Sequence, residues 1–347
     1  MQHGSARGRG QATPLTRRVG IIDVAAHAGV SRQTVSNVLN GHRSKVSSDT
    51  YERVRAAMTA LGYQPNRAAQ NLRSRRSMQL GYHMFGEQLQ SVNGFFVRFL
   101  QALVRQAARD GYQVVVFTHQ DDPLRTFSEL VAQRNIDAFI LSESAVDDPR
   151  VRLLAGNGIP FACMGRLAPD LPQQWVDVDN VAGMRALIDH LVARGHRTFA
   201  YVGAQGGQYW KTERFEGFLE GLTAHGLHVL DGDVFRGDDN GIREFVRHLL
   251  ARARTPGVIV CGSDAIAALV VHVAHSMGRA VGTDIAVTGY DGGAIGTLME
   301  PALTSVRIPV ERIAHELVDR CRREIDRGPT GNPGLLIPTD IVVGASA

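Results

Sequence analysis

The chain has 347 residues, of which 44% are hydrophobic and 21% are charged, and this composition excludes a disordered or fibrous protein. The length predicts about two to three domains. The most apolar stretch, residues 265–274, is too short to span a bilayer, and the N-terminus lacks the apolar run of a secretory signal. We therefore expect a cytoplasmic protein with no membrane partner.

Positive charge is concentrated at the start of the chain. Residues 1–78 contain thirteen lysines and arginines and three acidic residues, a formal charge of +10, whereas the remainder contains 25 basic and 31 acidic residues. This asymmetry predicts that the first part binds a polyanion. Charge alone would also fit a solvated basic tail without a partner, so the pattern of residues has to decide.

Two short helices are predicted just after the basic start. Apolar residues at helical spacing indicate a helix over 21–28, and Gly29 ends it. Ser31 has a side-chain oxygen that can cap a second helix over 32–39, which stops at Asn40 and the following glycine. Two helices joined through a glycine turn form a helix-turn-helix, whose second helix fits the major groove of DNA.

A third helix is expected to brace this pair. Ser47 can cap it, Val54 and Leu61 belong to its apolar stripe, and Gly62 ends it. A generic small helical bundle with no partner is the alternative that the three helices alone leave open.

The strings DVAAHAGVSRQTVSNVLNG and GYQPNRAAQNLRSRRS resemble the DNA-binding headpiece of the LacI family of bacterial transcriptional regulators. The resemblance implies that Arg32 and Gln33 read base edges, because Arg suits guanine and Gln suits adenine. Asn37 stands where many members carry Arg, so the inner bases of the half-site are expected to be read differently. The DNA-binding residues implied on and around the second helix are Ser31, Arg32, Gln33, Thr34, Ser36, Asn37 and Asn40.

The resemblance also implies a hinge helix over residues 67–73, which orders on operator DNA. Leu72 would enter the minor groove and kink the duplex, and Asn66 would contact DNA nearby. Leu72 as an ordinary surface residue is the alternative. The expected organisation of this part is a basic tail over 1–18, a helix-turn-helix domain over 19–64, and a hinge helix with linker over 65–78.

From residue 79 onward, apolar strand-like runs alternate with amphipathic segments, which is typical of an α/β fold with parallel sheets. The predicted strands are 80–85, 112–117, 138–142, 160–165, 198–203, 257–262 and 285–291. The predicted helices are 95–110, 124–134, 181–194, 214–225, 242–253, 263–277 and 310–326.

The strings DGYQVVVF, VDVDNVAG, HLVARGHRTFAYVG, AVTGYDGG and EPALTSVRIP resemble the effector domain of the same family, which is similar to periplasmic sugar-binding proteins. The resemblance implies an effector and dimerisation domain over 79–347, built as two parallel-sheet subdomains with a ligand cleft between them. We expect the crossovers near Val176, Gly292 and Arg327. The N-subdomain would then cover about 79–176 and 293–327, and the C-subdomain about 177–292 and 328–347.

Eight residues are implied as effector contacts by this resemblance. Arg214 in RFEG and Asp291 in GYD can hold sugar hydroxyls by paired hydrogen bonds. Trp210 and Phe96 are candidates to stack on a ring, with core packing as the alternative. Ser263 stands where members commonly use an Asn. The full set is Phe96, Arg166, Asp179, Trp210, Arg214, Ser263, Asp264 and Asp291.

The three cysteines, Cys163, Cys261 and Cys321, are widely spaced and lie outside any CxxC or metal-ligand pattern. We expect buried thiols, and no disulfide, metal site or cofactor. Enzyme motifs such as GxSxG, a P-loop, HExxH or GxGxxG after a strand are missing from the sequence, so we expect no catalytic activity.

These features together indicate a homodimeric, or tetrameric, repressor that is cytoplasmic, associates with the nucleoid and is released from operator DNA by a small effector, most simply a sugar. The C-terminal tail carries no heptads, which favours a dimer. Three alternatives stay open: a corepressor mechanism with a purine-like ligand, a solute-binding receptor, and a DNA-binding scaffold that senses no ligand.

Overall fold

The computed structural model describes residues 19–64, 76–84, 94–118, 122–329, 331 and 333–347. The chain divides into two compact units, Met1–Arg76 and Ser77–Ala347. Among the described residues, none of the helices combines the length and the apolar character that crossing a membrane requires.

The first unit contains the three predicted helices, which confirms the sequence-based prediction. They are α1 (Ile21–Ala28), α2 (Arg32–Leu39) and α3 (Ser48–Ala60), with a 3-10 turn at Arg43–Lys45 between the last two. Gly29 ends α1 in the left-handed region at φ 62°. The Ser31 hydroxyl caps α2 by accepting a hydrogen bond from the Thr34 amide at 3.1 Å, so the turn between the two helices is short and fixed.

One valine from each helix forms the centre of this unit. Val24 of α1, Val35 of α2 and Val54 of α3 are completely buried, and smaller alanines surround them. Each buried valine stabilises the fold by roughly 1.5–3 kcal/mol. Because Val35 is held inside, the opposite face of α2 must face outward.

The second unit contains two six-stranded sheets. The first sheet is entirely parallel, in the order β11-β5-β4-β3-β1-β2. The second has the order β12-β10-β9-β8-β6-β7 and is parallel except for β12. The strands are β1 (Gln79–His83), β2 (Gln113–Phe117), β3 (Ala138–Leu141), β4 (Phe161–Met164), β5 (Trp175–Val178), β6 (Phe199–Gly203), β7 (Val234–Arg236), β8 (Val258–Cys261), β9 (Ala286–Asp291), β10 (Thr304–Arg307), β11 (Leu335–Ile337) and β12 (Asp340–Val342).

Helices cover both sheets and complete two subdomains. The first subdomain is the first sheet with α4, α5, α6 and α12, and the second subdomain is the second sheet with α7 to α11. The helices are α4 (Gly94–Arg109), α5 (Pro123–Gln133), α6 (Pro149–Gly156), α7 (Asn180–Ala193), α8 (Tyr209–Ala224), α9 (Asp239–Leu250), α10 (Asp264–Ser276), α11 (Ala294–Leu298) and α12 (Val310–Arg327). All seven predicted strands and all seven predicted helices are present, with ends shifted by a few residues.

The second and third crossings between the subdomains lie later in the chain than we expected. We placed them near Gly292 and Arg327, but β10 pairs with β9, so residues 293–307 stay with the second sheet. Likewise β11 pairs with β5, which keeps residues 335–337 with the first sheet. The chain therefore crosses after β5, after β10 and between β11 and β12. Gly292, which suggested a crossover, makes a tight turn at φ 60° instead.

All three cysteines are free and buried. Cys163 lies on β4 and Cys321 on α12 in the first subdomain, whereas Cys261 ends β8 in the second. Burial raises the pKa of each thiol, for Cys163 to about 12. In the described part of the chain, no cluster of His, Cys, Asp or Glu side chains could hold a metal ion.

Helices α7 and α8 approach each other through glycines. A Cβ atom at Gly217 would lie 2.6 Å from the carbonyl oxygen of Val181, and one at Gly221 would lie 2.8 Å from Cβ of Ile188. These distances leave no room for even a methyl group, so small residues at these two positions allow the close contact. A Cβ atom at Gly156, at the end of α6, would have no neighbouring atom within 4 Å.

We expect Gly217→Ala to lower the free energy of unfolding by about 1–3 kcal/mol, because the methyl group forces the two helices apart. Gly156→Ala is the matched control, and it should raise stability by about 0.4–1 kcal/mol through the unfolded state. Urea unfolding followed by circular dichroism measures both. Equal effects of the two substitutions would contradict the packing argument.

Candidate nucleic-acid interface and ligand cleft

The outward face of α2 is polar and exposed. Ser31, Arg32, Gln33 and Asn40 are exposed, and Thr34, Ser36 and Asn37 are partly exposed. A helix that buries one apolar stripe and exposes polar side chains on its other face can place them against base edges and phosphates.

Hydrogen bonds along α2 organise this face. The Gln33 amide donates to the Asn37 side-chain oxygen at 3.2 Å, and the Asn40 amide donates to the Ser36 carbonyl oxygen at 2.7 Å. Asn37 therefore orients Gln33. The sequence did not suggest this role, because it indicated only that Asn37 stands where many family members carry Arg. Asn66 and Leu72, the other two predicted DNA contacts, lie outside the described residues.

Side chains near the carboxyl ends of both sheets contact each other between the subdomains, in the region that we call the cleft, and Arg214 of α8 lies on its second-subdomain side. Arg214 is 5% exposed. It donates to the Asn180 side-chain oxygen at 3.1 Å, to the Gly262 carbonyl oxygen at 2.7 Å and to Oδ1 of Asp291 at 3.3 Å. Its three partners begin α7, follow β8 and end β9, so one side chain ties together three elements.

Two aromatic rings flank this guanidinium. The Arg214 Cζ atom lies 3.8 Å from the centroid of the Tyr290 ring and 4.6 Å from that of Trp210. Contacts of this kind are favourable for a cation, and more so when water is excluded. Trp210 is half-buried rather than fully packed in the core.

Asp291 has a second carboxylate oxygen that lacks a hydrogen-bond partner among the described residues. Oδ2 is buried and makes no hydrogen bond to the described residues. Burial raises the pKa of this carboxyl to about 7, while Arg214 favours the charged form and the neighbouring Asp264 opposes it. The residue adopts φ 121°, which is rare outside glycine and is typical of strained positions at functional sites. An oxygen of this kind can accept a hydrogen bond from a ligand hydroxyl.

Three of the predicted effector residues have structural partners. Asp264 accepts hydrogen bonds from the Ser305 hydroxyl at 2.5 Å and from the Gly293 amide at 2.6 Å. Ser263 caps α10, and Asp179 caps α7. Asp264 thereby fixes the loop after Asp291, and the two caps set the directions of helices that begin at the cleft.

Arg166 and Phe96 lie at the cleft margin with partners of their own. Arg166 follows β4 in the first subdomain and forms an ion pair at 2.6 Å with Glu213 on α8 of the second. Phe96 is 9% exposed and contacts Phe95 edge to face, with the ring centroids 5.4 Å apart. Arg166 therefore bridges the two subdomains, and Phe96 is mainly a core residue.

The sequence did not single out Glu143, which follows β3 and enters the cleft from the first subdomain. Its φ of 50° is again left-handed. Burial raises the pKa of its carboxyl, while Lys211, the Trp210 indole and Arg214 favour ionisation. The loop that carries Glu143 is fixed by Arg150, which donates to the Ser142 carbonyl oxygen at 3.2 Å. An acidic residue at a strand end is the only signal that could have indicated this position.

Asp177 at the end of β5 was also missed. Burial and the nearby Glu213 carboxyl raise its pKa to about 7, and its Oδ2 atom has no hydrogen-bond partner among the described residues. The carboxylate oxygens without a hydrogen-bond partner among the described residues of the cleft are therefore Oδ2 of Asp177 and Oδ2 of Asp291.

Comparison with known proteins is consistent with both sites. Residues 20–66 match the family model for bacterial regulatory proteins of the lacI family, and residues 188–347 match that for a periplasmic binding protein-like domain. The transcriptional regulator CelR of Thermobifida fusca is 32% identical over 341 residues, covering 95% of this chain and 98% of CelR. The regulator AglR of Rhizobium meliloti is 29% identical, covering 85% of this chain and 83% of AglR.

Solved structures agree in fold. A CelR–cellobiose complex is 29% identical, with a TM-score of 0.71 over 95% of this chain and 100% of that chain. A Lac repressor dimer bound to operator and the anti-inducer ONPF is 25% identical, with a TM-score of 0.78 over 95% of this chain and 99% of that chain. From its helix-turn-helix and two-sheet domain, this chain belongs to the LacI family of DNA-binding bacterial transcriptional regulators.

Proposed function

We propose that this protein is a homodimeric repressor that binds a pseudo-palindromic operator and is released when a neutral sugar occupies the cleft. The observation that carries the proposal is the buried Arg214–Asp291 pair: Oδ2 of Asp291 has no hydrogen-bond partner among the described residues, and the Trp210 ring lies against the guanidinium. Such a pair offers donors and acceptors to adjacent hydroxyls, and an aromatic ring beside it offers a face for the sugar ring.

Operator recognition is assigned to α2 and the segment that follows the headpiece. Arg32 and Gln33 are proposed to read bases, and Thr34, Ser36 and Asn40 to contact phosphates. Asn37 supports Gln33. Asn66 and Leu72 belong to the proposed interface through the family resemblance, as does the hinge helix that would place them. A protein with this function acts in the cytoplasm at the nucleoid.

The charge of the cleft favours a neutral effector. The carboxyl groups of Glu143, Asp177, Glu213, Asp264 and Asp291 surround the cations of Arg98, Arg166, Lys211 and Arg214, so a phosphate in the described part of the cleft would lie among acidic side chains as well as cations. Relatives include CelR, with a cellobiose complex, and repressors named PurR. We place direct contacts at Trp210, Arg214, Asp291 and Glu143, with Asp179, Ser263, Asp264, Arg166 and Phe96 shaping the site around them.

Release from DNA follows from differential binding. An effector held between the subdomains favours one angle between them. It can weaken operator binding only to the extent that it binds this conformation more tightly than the DNA-binding conformation. A thermal-shift screen with neutral mono- and oligosaccharides, sugar phosphates and purines tests the effector class. A ligand at one hundred times its Kd stabilises the protein by about 2.7 kcal/mol. Stabilisation by purines alone would instead indicate a corepressor.

A dimer surface is proposed on α4 and the adjacent edge strand β2. Val97 and Val104 are 59% and 45% exposed, one helical heptad apart, and Val116 on β2 is 44% exposed. Large apolar side chains grouped in this way mark association surfaces. Two headpieces brought together by such a surface match the two half-sites of a palindrome.

We expect Arg32→Ala and Gln33→Ala each to weaken specific DNA binding by about 1–3 kcal/mol and to relax selectivity at one base pair. The operator sequence is first obtained by selection from random duplexes, and affinities are measured by fluorescence anisotropy. Thr59→Ala, an exposed polar change on α3, is the control and should leave affinity unchanged. Uniform weakening across all sequences by Arg32→Ala would show that Arg32 contacts phosphate.

Asp291→Asn should weaken binding of the stabilising sugar at least tenfold, because a neutral amide replaces a charge-assisted acceptor. Since burial raises the pKa of Asp291 to about 7, the acceptor is ionised above that pH and protonated below it. Sugar affinity of the wild-type protein should therefore rise between pH 6 and pH 8, and that of Asp291→Asn should not.

Isothermal titration calorimetry at several pH values measures this dependence. Asp170→Asn, which alters an exposed ion pair with Arg152, is the control. Persistence of the pH dependence in Asp291→Asn would assign it to Asp177, whose pKa is also about 7.

Val104→Asp should convert the dimer to a monomer at micromolar concentration, because each protomer would bury an unpaired carboxylate in the interface. Light scattering after size-exclusion chromatography reports the mass. Leu230→Asp replaces an exposed apolar residue away from α4 and should leave the dimer intact. A Val104→Asp protein that keeps its dimeric mass would remove α4 from the interface.

A further inference from the structure

Arg98 on α4 reaches across the cleft to the loop that carries Asp291. Its Nη1 atom donates to the Gly292 carbonyl oxygen at 2.8 Å and lies 3.4 Å from the Asp291 carbonyl oxygen. Arg98 belongs to the first subdomain, whereas Asp291 and Gly292 belong to the second. Burial raises the pKa values of the Asp291 and Asp264 carboxyls, and a guanidinium in this position offsets part of that rise by favouring their charged forms.

The loop that Arg98 contacts contains a non-glycine residue in a strained backbone conformation. Asp291 has φ 121° and Gly292 has φ 60°. The Gly292 amide donates to the Ser305 hydroxyl at 3.2 Å, and the Gly293 amide donates to Asp264 at 2.6 Å. Strained backbone persists only where its surroundings fix it, and Arg98 is a fixing contact that comes from the first subdomain.

We propose that Arg98 is a positioning residue for effector recognition: it holds the loop at 291–293 so that the Asp291 carboxylate points at the effector, and it makes this geometry depend on closure of the cleft. The inference rests on the proposed effector site. It assigns to Arg98 a hydrogen bond to the protein backbone and no contact with the effector itself.

The first test needs no effector. In Arg98→Met, amide hydrogen exchange at Gly292 and Gly293 should be faster than in the wild-type protein, because the loop loses its contact from α4. Arg98→Lys, which can still reach one carbonyl oxygen, should restore part of the protection. Arg105→Met removes an exposed arginine one heptad later on the same helix, which pairs with Glu311 at 3.7 Å, and should change nothing. Unaltered exchange in Arg98→Met would overturn the proposal.

The second test uses cellobiose as the probe. If cellobiose binds the wild-type protein, Arg98→Met should weaken cellobiose binding about tenfold. The substitution removes the charge-assisted hydrogen bond from Arg98 to the Gly292 carbonyl oxygen, which holds the Asp291 carboxylate in place. Combining Arg98→Met with Asp291→Asn should weaken binding little more than Asp291→Asn alone, because Arg98 acts through that carboxylate. Additive losses would show that Arg98 contacts the sugar directly and would contradict the proposal.

The two tests separate the possible failures. Absence of cellobiose binding to the wild-type protein would count against a disaccharide effector, and amide exchange would still decide the role of Arg98. Faster exchange in Arg98→Met with rescue by Arg98→Lys supports the positioning role whichever effector the cleft takes.

Discussion

The geometry of the cleft depends on satisfying one buried cation. A guanidinium removed from water costs several kcal/mol unless its donors are paired, and loss of one partner from a buried pair costs about 3–5 kcal/mol. Arg214 meets this requirement because it donates hydrogen bonds to acceptors at the start of α7, just after β8 and at the end of β9. If one of these elements moved independently of the others, the buried guanidinium would lose a hydrogen-bond acceptor.

The short motif RFEG therefore links electrostatics to packing. Arg214 supplies the cation, and Gly217, one helical turn later, allows α8 to approach Val181 at the start of α7. That approach brings Asn180 within hydrogen-bond distance of the guanidinium. A larger residue at position 217 would separate Asn180 from Arg214 and would weaken the site from a distance. The Arg and the Gly of the motif therefore both contribute to the contact between α8 and the start of α7.

Continuous apolar runs such as GVIVCG made the central strands predictable, and the Arg214–Asp291 pair was predictable from motif positions. Strand β10, TSVR, was not, because its buried Thr304 and Ser305 are polar and are satisfied by residues about forty positions away. Pairing of this strand with β9 is what moved the second crossover. Arg98 could not be predicted as a site residue, since its partners are carbonyl oxygens 193 and 194 residues away, and every residue has a carbonyl oxygen.

The three buried thiols give each subdomain its own chemical reporter. The reactive form of cysteine is the thiolate, so buried thiols with raised pKa values resist alkylation in the native fold. Cys163 and Cys321 become accessible only when the core of the first subdomain opens, and Cys261 only when that of the second does. The rates at which these positions are alkylated therefore measure the opening of the two halves separately, in one unmodified protein.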